Sequence, residues 1–162
     1  MGKGAVLEMT NEVLWEKLQK LESEVVQLPD CSPMAVQIPA GKLLPFLEHL
    51  KVTEGLKFVQ LLDHTAIDWP EENEFELVYQ LYSLAQDCFL AVHSRIPRNE
   101  PYAPTMSRLW AIAEWQEREV YDLFGVLYEG HPDLRRLFLE DDWVGFPLRK
   151  DYKDDFMLEL PK

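Results

Sequence analysis

The sequence predicts an α+β fold: a two-layer sandwich in which N-terminal helices cover a mixed or antiparallel sheet, followed by an irregular C-terminal docking tail. Three observations predict it. Two stretches near the start repeat apolar residues at helical spacing. Of three consecutive runs between residues 57 and 96, the first is rich in branched and apolar residues and the next two alternate apolar and polar side chains. The segment from 126 to 162 is rich in apolar residues yet follows no period. With 162 residues the chain has the length of one domain plus a tail, and the expected division is a core over 1–125 and an extended docking segment over 126–162.

The elements follow in order. Leu14, Leu18 and Leu21 set a helix from Asn11 to Leu21, with Thr10 placed to cap it. Val25–Leu28 and Met34–Ile38 read as short strands around a turn holding Pro29, Asp30 and Pro33. A second helix carries Leu43, Phe46, Leu47 and Leu50; its Pro45 is tolerable only in the first turn. Lys57 to Ile67 is a strand, and Pro70-Glu71-Glu72-Asn73 turns it into the next. There Phe75, Leu77, Tyr79 and Leu81 take one face, while Glu74, Glu76 and Gln80 take the other, expected to be solvated. After Gln86-Asp87, Cys88, Leu90, Val92 and Ile96 alternate with His93 and Arg95, completing an antiparallel meander. Thr105 is the expected cap of a helix from about Met106 to Phe124, which Gly125 closes in the left-handed conformation. Beyond it, an apolar but aperiodic segment lies along a surface, its own or a partner's.

Composition excludes several function classes. Sixteen Lys and Arg against 29 Asp and Glu leave a net charge of −13, which phosphate backbones repel, so no nucleic-acid partner is expected. No apolar run approaches the ~18 residues of a membrane span, and residues 1–10 lack a secretion signal. The expectation is a soluble intracellular chain. Cys31 and Cys88 are the two cysteines, whereas an iron–sulfur cluster or a structural zinc takes about four ligands. Glycine-rich nucleotide loops and a Gly-x-Ser-x-Gly motif are absent. No cofactor or metal is therefore expected on this chain.

The densest chemistry is Glu117-Arg118-Glu119 with Asp122. On a helix, Trp115, Arg118, Glu119 and Asp122 share a face. Clustered carboxylates suit a divalent metal, and with His131 they frame a metal-dependent hydrolase as an alternative. Arg118 offsets that charge, however, and no His lies one turn away. The favoured reading is an ion-paired face, Arg118 compensating Glu119 or Asp122, that fastens the helix to the tail or a neighbour. His131, held between Gly130 and Pro132, is expected to bond backbone or a carboxylate rather than act as a base. Arg135-Arg136 and Arg149-Lys150 suit intermolecular carboxylate clamps.

These motifs carry a resemblance. Glu117-Arg118-Glu119, Asp122-Leu123-Phe124-Gly125, Gly130-His131-Pro132, Leu134-Arg135-Arg136-Leu137, Asp142-Trp143 and Pro147-Leu148-Arg149-Lys150-Asp151-Tyr152 occur in that order. Together they resemble the 30 kDa subunit family of respiratory complex I, the C subunit of the bacterial proton-pumping NADH–quinone oxidoreductase. The resemblance is dense over Trp110 to Tyr152 and looser upstream. It implies a structural subunit of the peripheral arm with no catalytic centre of its own, supporting electron transfer from NADH to quinone. Its partners would be the 49 kDa-type D subunit, near the quinone site, and neighbouring iron–sulfur subunits. FMN and iron–sulfur clusters would sit on those other subunits, and the hetero-oligomer would lie on the cytoplasmic side of a bacterial inner membrane. The motif residues, with Trp143 and Phe156 as tail anchors, become the expected interface. Phe146 departs from the family, where many relatives have His, and the end at residue 162 implies the unfused form. The equivalent subunit of a membrane-bound hydrogenase or another quinone-reducing dehydrogenase is the open alternative.

Overall fold

A computed structural model describes residues 9–154. The elements are α1 (Asn11–Leu21), β1 (Val26–Leu28), β2 (Ala35–Gln37), a 3-10 turn (Ala40–Lys42), α2 (Leu43–Val52), β3 (Gln60–Trp69), β4 (Glu74–Ser83), β5 (Cys88–Pro97), β6 (Tyr102–Pro104), α3 (Ala113–Phe124) and β7 (Leu127–Glu129). The five-stranded sheet runs β1-β2-β5-β4-β3, with β2 and β5 parallel and the other pairs antiparallel. This is the predicted α+β sandwich with a mixed sheet.

Local chemistry accounts for the elements. The Thr10 hydroxyl accepts from the Val13 N–H at 3.4 Å, capping α1, whose Leu14 and Leu18 are buried. The β3–β4 and β4–β5 turns place Asn73 at φ 55° and Asp87 at φ 48°, residues that accept the left-handed region most readily. Phe75, Leu77, Tyr79 and Leu81 of β4 all face the core, beside Val92 and Ile96 of β5, under Phe46, Leu47 and Leu50 of α2. Helix α3 packs on β3, at the sheet's edge.

Three expectations are corrected. The last helix starts at Ala113, not near Met106; residues 106–112 form separate turns. The bond pattern shows the break: the Trp110 N–H reaches the Met106 carbonyl, but the Ala113 N–H reaches back only to Trp110, so the i to i−4 ladder restarts after it. Glu117 of α3 holds the turn from outside through the Met106 N–H at 2.6 Å and the Thr105 hydroxyl at 2.6 Å. Thr105 thus donates to Glu117 while accepting the Ser107 N–H at 3.1 Å, so it caps a single turn and not the helix. The outer face of β4 is not uniformly solvated either. Glu76 is only 6% exposed, because Trp69 donates its indole N–H at 2.7 Å, His93 Nδ1 lies 2.7 Å away and Arg95 stands at 3.7 Å. Finally, β6 and β7 pair in parallel as a separate two-stranded sheet, Ala103 opposite Tyr128, where the sequence suggested loop and tail.

Candidate functional site

The motif residues converge on a seam between α3 and the segment that follows β7. At its centre Asp122 has a fully buried side chain. One carboxylate oxygen meets Arg136 Nη1 at 2.8 Å. The other accepts three successive backbone N–H groups, from Leu137 at 3.0 Å, Phe138 at 2.7 Å and Leu139 at 3.0 Å. Burial by itself would raise this carboxyl's pKa, but Arg136 and the three N–H groups outweigh it and hold it below the ordinary 3.8. Arg136 also donates to the Asp122 carbonyl at 3.0 Å, the Trp143 carbonyl at 2.9 Å and the Gly145 carbonyl at 3.2 Å.

One turn before Asp122, Arg118 donates to the Arg135 carbonyl at 3.1 Å and the Arg136 carbonyl at 3.0 Å, and its guanidinium lies over the Trp115 ring. The expectation that Arg118 compensates a neighbouring carboxylate is therefore replaced. Asp122 is already saturated, Glu119 is exposed, and the fork of Arg118 is matched to two consecutive carbonyls of the tail.

A second latch joins the tail to the sheet. Asp68 of β3, with its side chain buried, accepts both prongs of Arg98, at 2.8 and 3.2 Å, and the Lys150 N–H at 2.8 Å. Arg98 also pairs with Asp151, and these two carboxylates raise its already high pKa, Asp151 first. Arg149 donates to the Phe124 carbonyl at 2.6 Å and lies between the rings of Phe75 and Phe146. Lys150 stands over Trp69. Of the four cations expected to act as intermolecular clamps, Arg136 and Arg149 are used inside the chain, and Arg135 pairs with Asp133 at 2.8 Å. Gly125 fits this packing closely: at φ +79°, an added Cβ would come 2.5 Å from Phe146 Cε2. Phe146 thus fills an apolar role against Gly125, Tyr121 and two arginines.

A third cluster lies deeper. Glu117 is fully buried, and burial pushes its pKa up to about 7, against the pull of its Thr105 and Met106 bonds. His131 Nε2 is 3.9 Å away. His131 Nδ1 accepts from the Asp133 N–H at 3.0 Å, so Nε2 carries the proton and donates to the Glu114 carbonyl at 2.9 Å. This is the backbone-bonded turn histidine the sequence suggested. His64 stacks on Tyr79 with centroids 4.1 Å apart, donates from Nδ1 to the Val78 carbonyl at 3.0 Å and accepts from the Tyr128 hydroxyl at 2.5 Å.

Of the motif residues, Arg118, Asp122, Arg135 and Arg136 meet at the seam. Arg149, Lys150 and Asp151 gather at the second latch, Glu117 and His131 beneath. Tyr152 bonds Asp154 at 3.1 Å and lies against Gly145. Trp143 is partly exposed, and Phe156 lies outside the described residues. Sequence reasoning missed Asp68, Arg98 and His64. The signal was strand parity, which puts His64 and Asp68 on the core-facing side of β3, opposite Tyr79 and Phe75. Among the described residues no group of three or more His, Cys, Asp or Glu is placed to hold a metal, and no helix is long and apolar enough to cross a membrane. Chemically the arrangement is a clamp: each buried carboxylate is occupied by donors from another part of the chain.

The sequence profile of the family described as respiratory-chain NADH dehydrogenase, 30 Kd subunit, matches residues 36–155, from β2 through both latches. The chain belongs to that family. Among members of the 30 kDa subunit family, the NADH-quinone oxidoreductase C subunit of Moorella thermoacetica is 39% identical over 138 residues, covering 85% of this chain and 92% of that one. The NADH-quinone oxidoreductase C/D subunit of Phocaeicola vulgatus is 45% identical over 120 residues, 74% of this chain and 22% of that longer one. Among solved structures, a chain from the membrane-bound sulfane sulfur reductase, an archaeal respiratory membrane complex, superposes with a TM-score of 0.77 at 30% identity. That match covers 88% of this chain and 85% of the other.

Proposed function

We propose that the chain is the C subunit of an NADH–quinone oxidoreductase, a structural component of the peripheral arm that holds no catalytic centre itself. The carrying observation is the 39% identity to a C subunit over 92% of that relative's length. The segment from residue 126 onward is the docking part in this reading, with the 49 kDa-type D subunit as principal partner near the quinone site. The relative whose C-like part belongs to a longer chain named C/D supports that pairing. FMN and iron–sulfur clusters belong to neighbouring subunits, and the assembly sits on the cytoplasmic side of the membrane. The likeness to a chain of an archaeal sulfane sulfur reductase favours one second reading, the equivalent subunit of a related membrane respiratory complex.

Purification of the full chain, tagged at its native locus, tests the proposal. The expected product is a multi-subunit complex that oxidises NADH and reduces a quinone, containing a 49 kDa-type subunit and a flavoprotein. A complex of similar size without NADH oxidation supports the second reading, and a lone chain overturns both. The isolated chain is expected to be colourless and inactive with NADH and quinone.

A further inference from the structure

The tail's outward surface is opposite in character to what its arginines suggest. Residues 137–145 form a loop whose base is closed twice. Asp122 takes the N–H groups of residues 137–139 at one end, and Arg136 grips the Trp143 and Gly145 carbonyls at the other. A turn bond from the Trp143 N–H to the Glu140 carbonyl at 3.0 Å tightens the tip. What the loop presents is apolar: Phe138 is 64% exposed, Val144 86% and Trp143 38%. An aromatic residue left in water on a loop already held at its base loses little further freedom on docking, which favours a protein partner.

Charge indicates which kind of partner. Between Phe138 and Val144 stand Glu140, Asp141 and Asp142, all exposed. None of the three forms an ion pair among the described residues, and residues 137–145 contain no Lys or Arg. Two tail cations are committed inward, Arg136 to Asp122 and Arg149 to the Phe124 carbonyl between two rings. Exposed Arg135 pairs with Asp133 and feels the charge of Asp141, and Lys153 borders the loop beside Asp142, so the rim carries more acid than the chain itself offsets.

We infer that the loop from Phe138 to Val144 is a docking surface for a partner protein whose facing side surrounds an apolar pocket with Lys and Arg. This rests on the reading of the chain as a subunit of a larger complex, and it gives that partner's contact face a chemistry. Trp143, Val144 and Phe138 fill the pocket, and the three carboxylates meet the cations at its rim, where they steer association and set register.

The test uses the tagged full chain in its native complex, washed at increasing NaCl, with three variants. One neutralises the rim (Glu140→Gln, Asp141→Asn, Asp142→Asn), one removes the anchors (Phe138→Ala, Trp143→Ala), and a control neutralises the exposed β3–β4 turn (Glu71→Gln, Glu72→Gln). All changed side chains are partly or fully exposed, and thermal melting checks that each variant folds. Loss of the anchors is expected to lower recovery of partner subunits about tenfold or more at every salt concentration. Neutralising the rim is expected to lower it at low salt and to flatten its dependence on NaCl, with the control unchanged. If the rim variant keeps wild-type recovery and salt dependence, the cationic partner face is refuted. Wild-type recovery by both variants refutes the loop as the contact, while the complex reading stands. If the wild-type chain itself retrieves no partner, the complex reading fails and this inference falls with it.

Discussion

Glu117 and His64 occupy one interior and respond to pH in opposite directions. Burial raises Glu117 from 4.5 to about 7, and it lowers His64 from 6.5 to about 4 against the pull of its Val78 bond. Between those two values the folded chain keeps a proton on Glu117 that the unfolded chain has released, so this group's contribution falls as pH rises from 4.5 to about 7. For His64, the unfolded chain binds a proton that the folded chain refuses, so its contribution falls as pH drops from 6.5 to about 4. The shifts nearly cancel, and the wild-type chain is expected to have almost constant stability between about pH 5 and 6.5. Glu117→Gln is expected to lose stability on acidification through that window, and His64→Gln to gain it, each by up to ~1.4 kcal/mol per pH unit. Urea unfolding at half-unit pH steps checks this; three parallel profiles would refute the assignment. A second contrast lies on the outer face of β4. Glu76→Lys sets a cation against the Trp69 N–H and Arg95 and is expected to cost about 3 kcal/mol. Glu74→Lys, a partly exposed neighbour beside the same Arg95, is expected to cost under about 1 kcal/mol. Thermal melting of the two variants decides whether burial or mere charge governs this face.

At the scale of elements, α3 is defined by its ends. Gly125 at φ +79° closes it and admits Phe146 within a distance that no Cβ would allow. Gly125→Ala is expected to cost about 2–4 kcal/mol, part of it left-handed strain of about 1–2 kcal/mol. Adding Phe146→Ala should relieve the clash and leave the strain, so a double-mutant cycle by chemical denaturation with no coupling would count against this packing. The helix's beginning shows where sequence reading stops. Met106, Leu109, Trp110 and Ala113 keep helical spacing and face one core, yet the hydrogen-bond ladder breaks between Trp110 and Ala113, and apolar periodicity does not encode that break. Helices α1 and α2 and the β3–β5 meander were legible because their patterns are local: apolar stripes, a Thr cap, turns at Asn73 and Asp87. Strands β6 and β7 were not, since each has three residues and exists through pairing with the other. The same limit applies to the seam. Arg118 and Asp122 were visible as one helix face, but their partners are backbone groups of an aperiodic tail, placed by the contacts themselves.

For the whole molecule, the two latches close contacts between parts of the chain that form separately. Asp68 receives the Lys150 N–H from 82 residues away, and Asp122 receives groups 14 to 17 residues further on. The sheet core has its own apolar packing, so the latches are expected to form after the rate-limiting step of folding. Asp122→Asn is then expected to accelerate unfolding roughly tenfold or more while leaving refolding nearly unchanged. Stopped-flow kinetics showing an equal slowing of refolding would place Asp122 in the nucleus instead. The direction of these latches also bears on synthesis. Every side-chain partner of Asp122 lies C-terminal to it, so α3 is polymerised before the groups that neutralise its buried carboxylate. A translation product that stops short of Arg136 carries an α3 that cannot bury Asp122 without leaving a charge unpaired. Such a product is expected to be less stable than the finished chain and more open to proteolysis, which limited digestion of a chain ending before Arg136 checks.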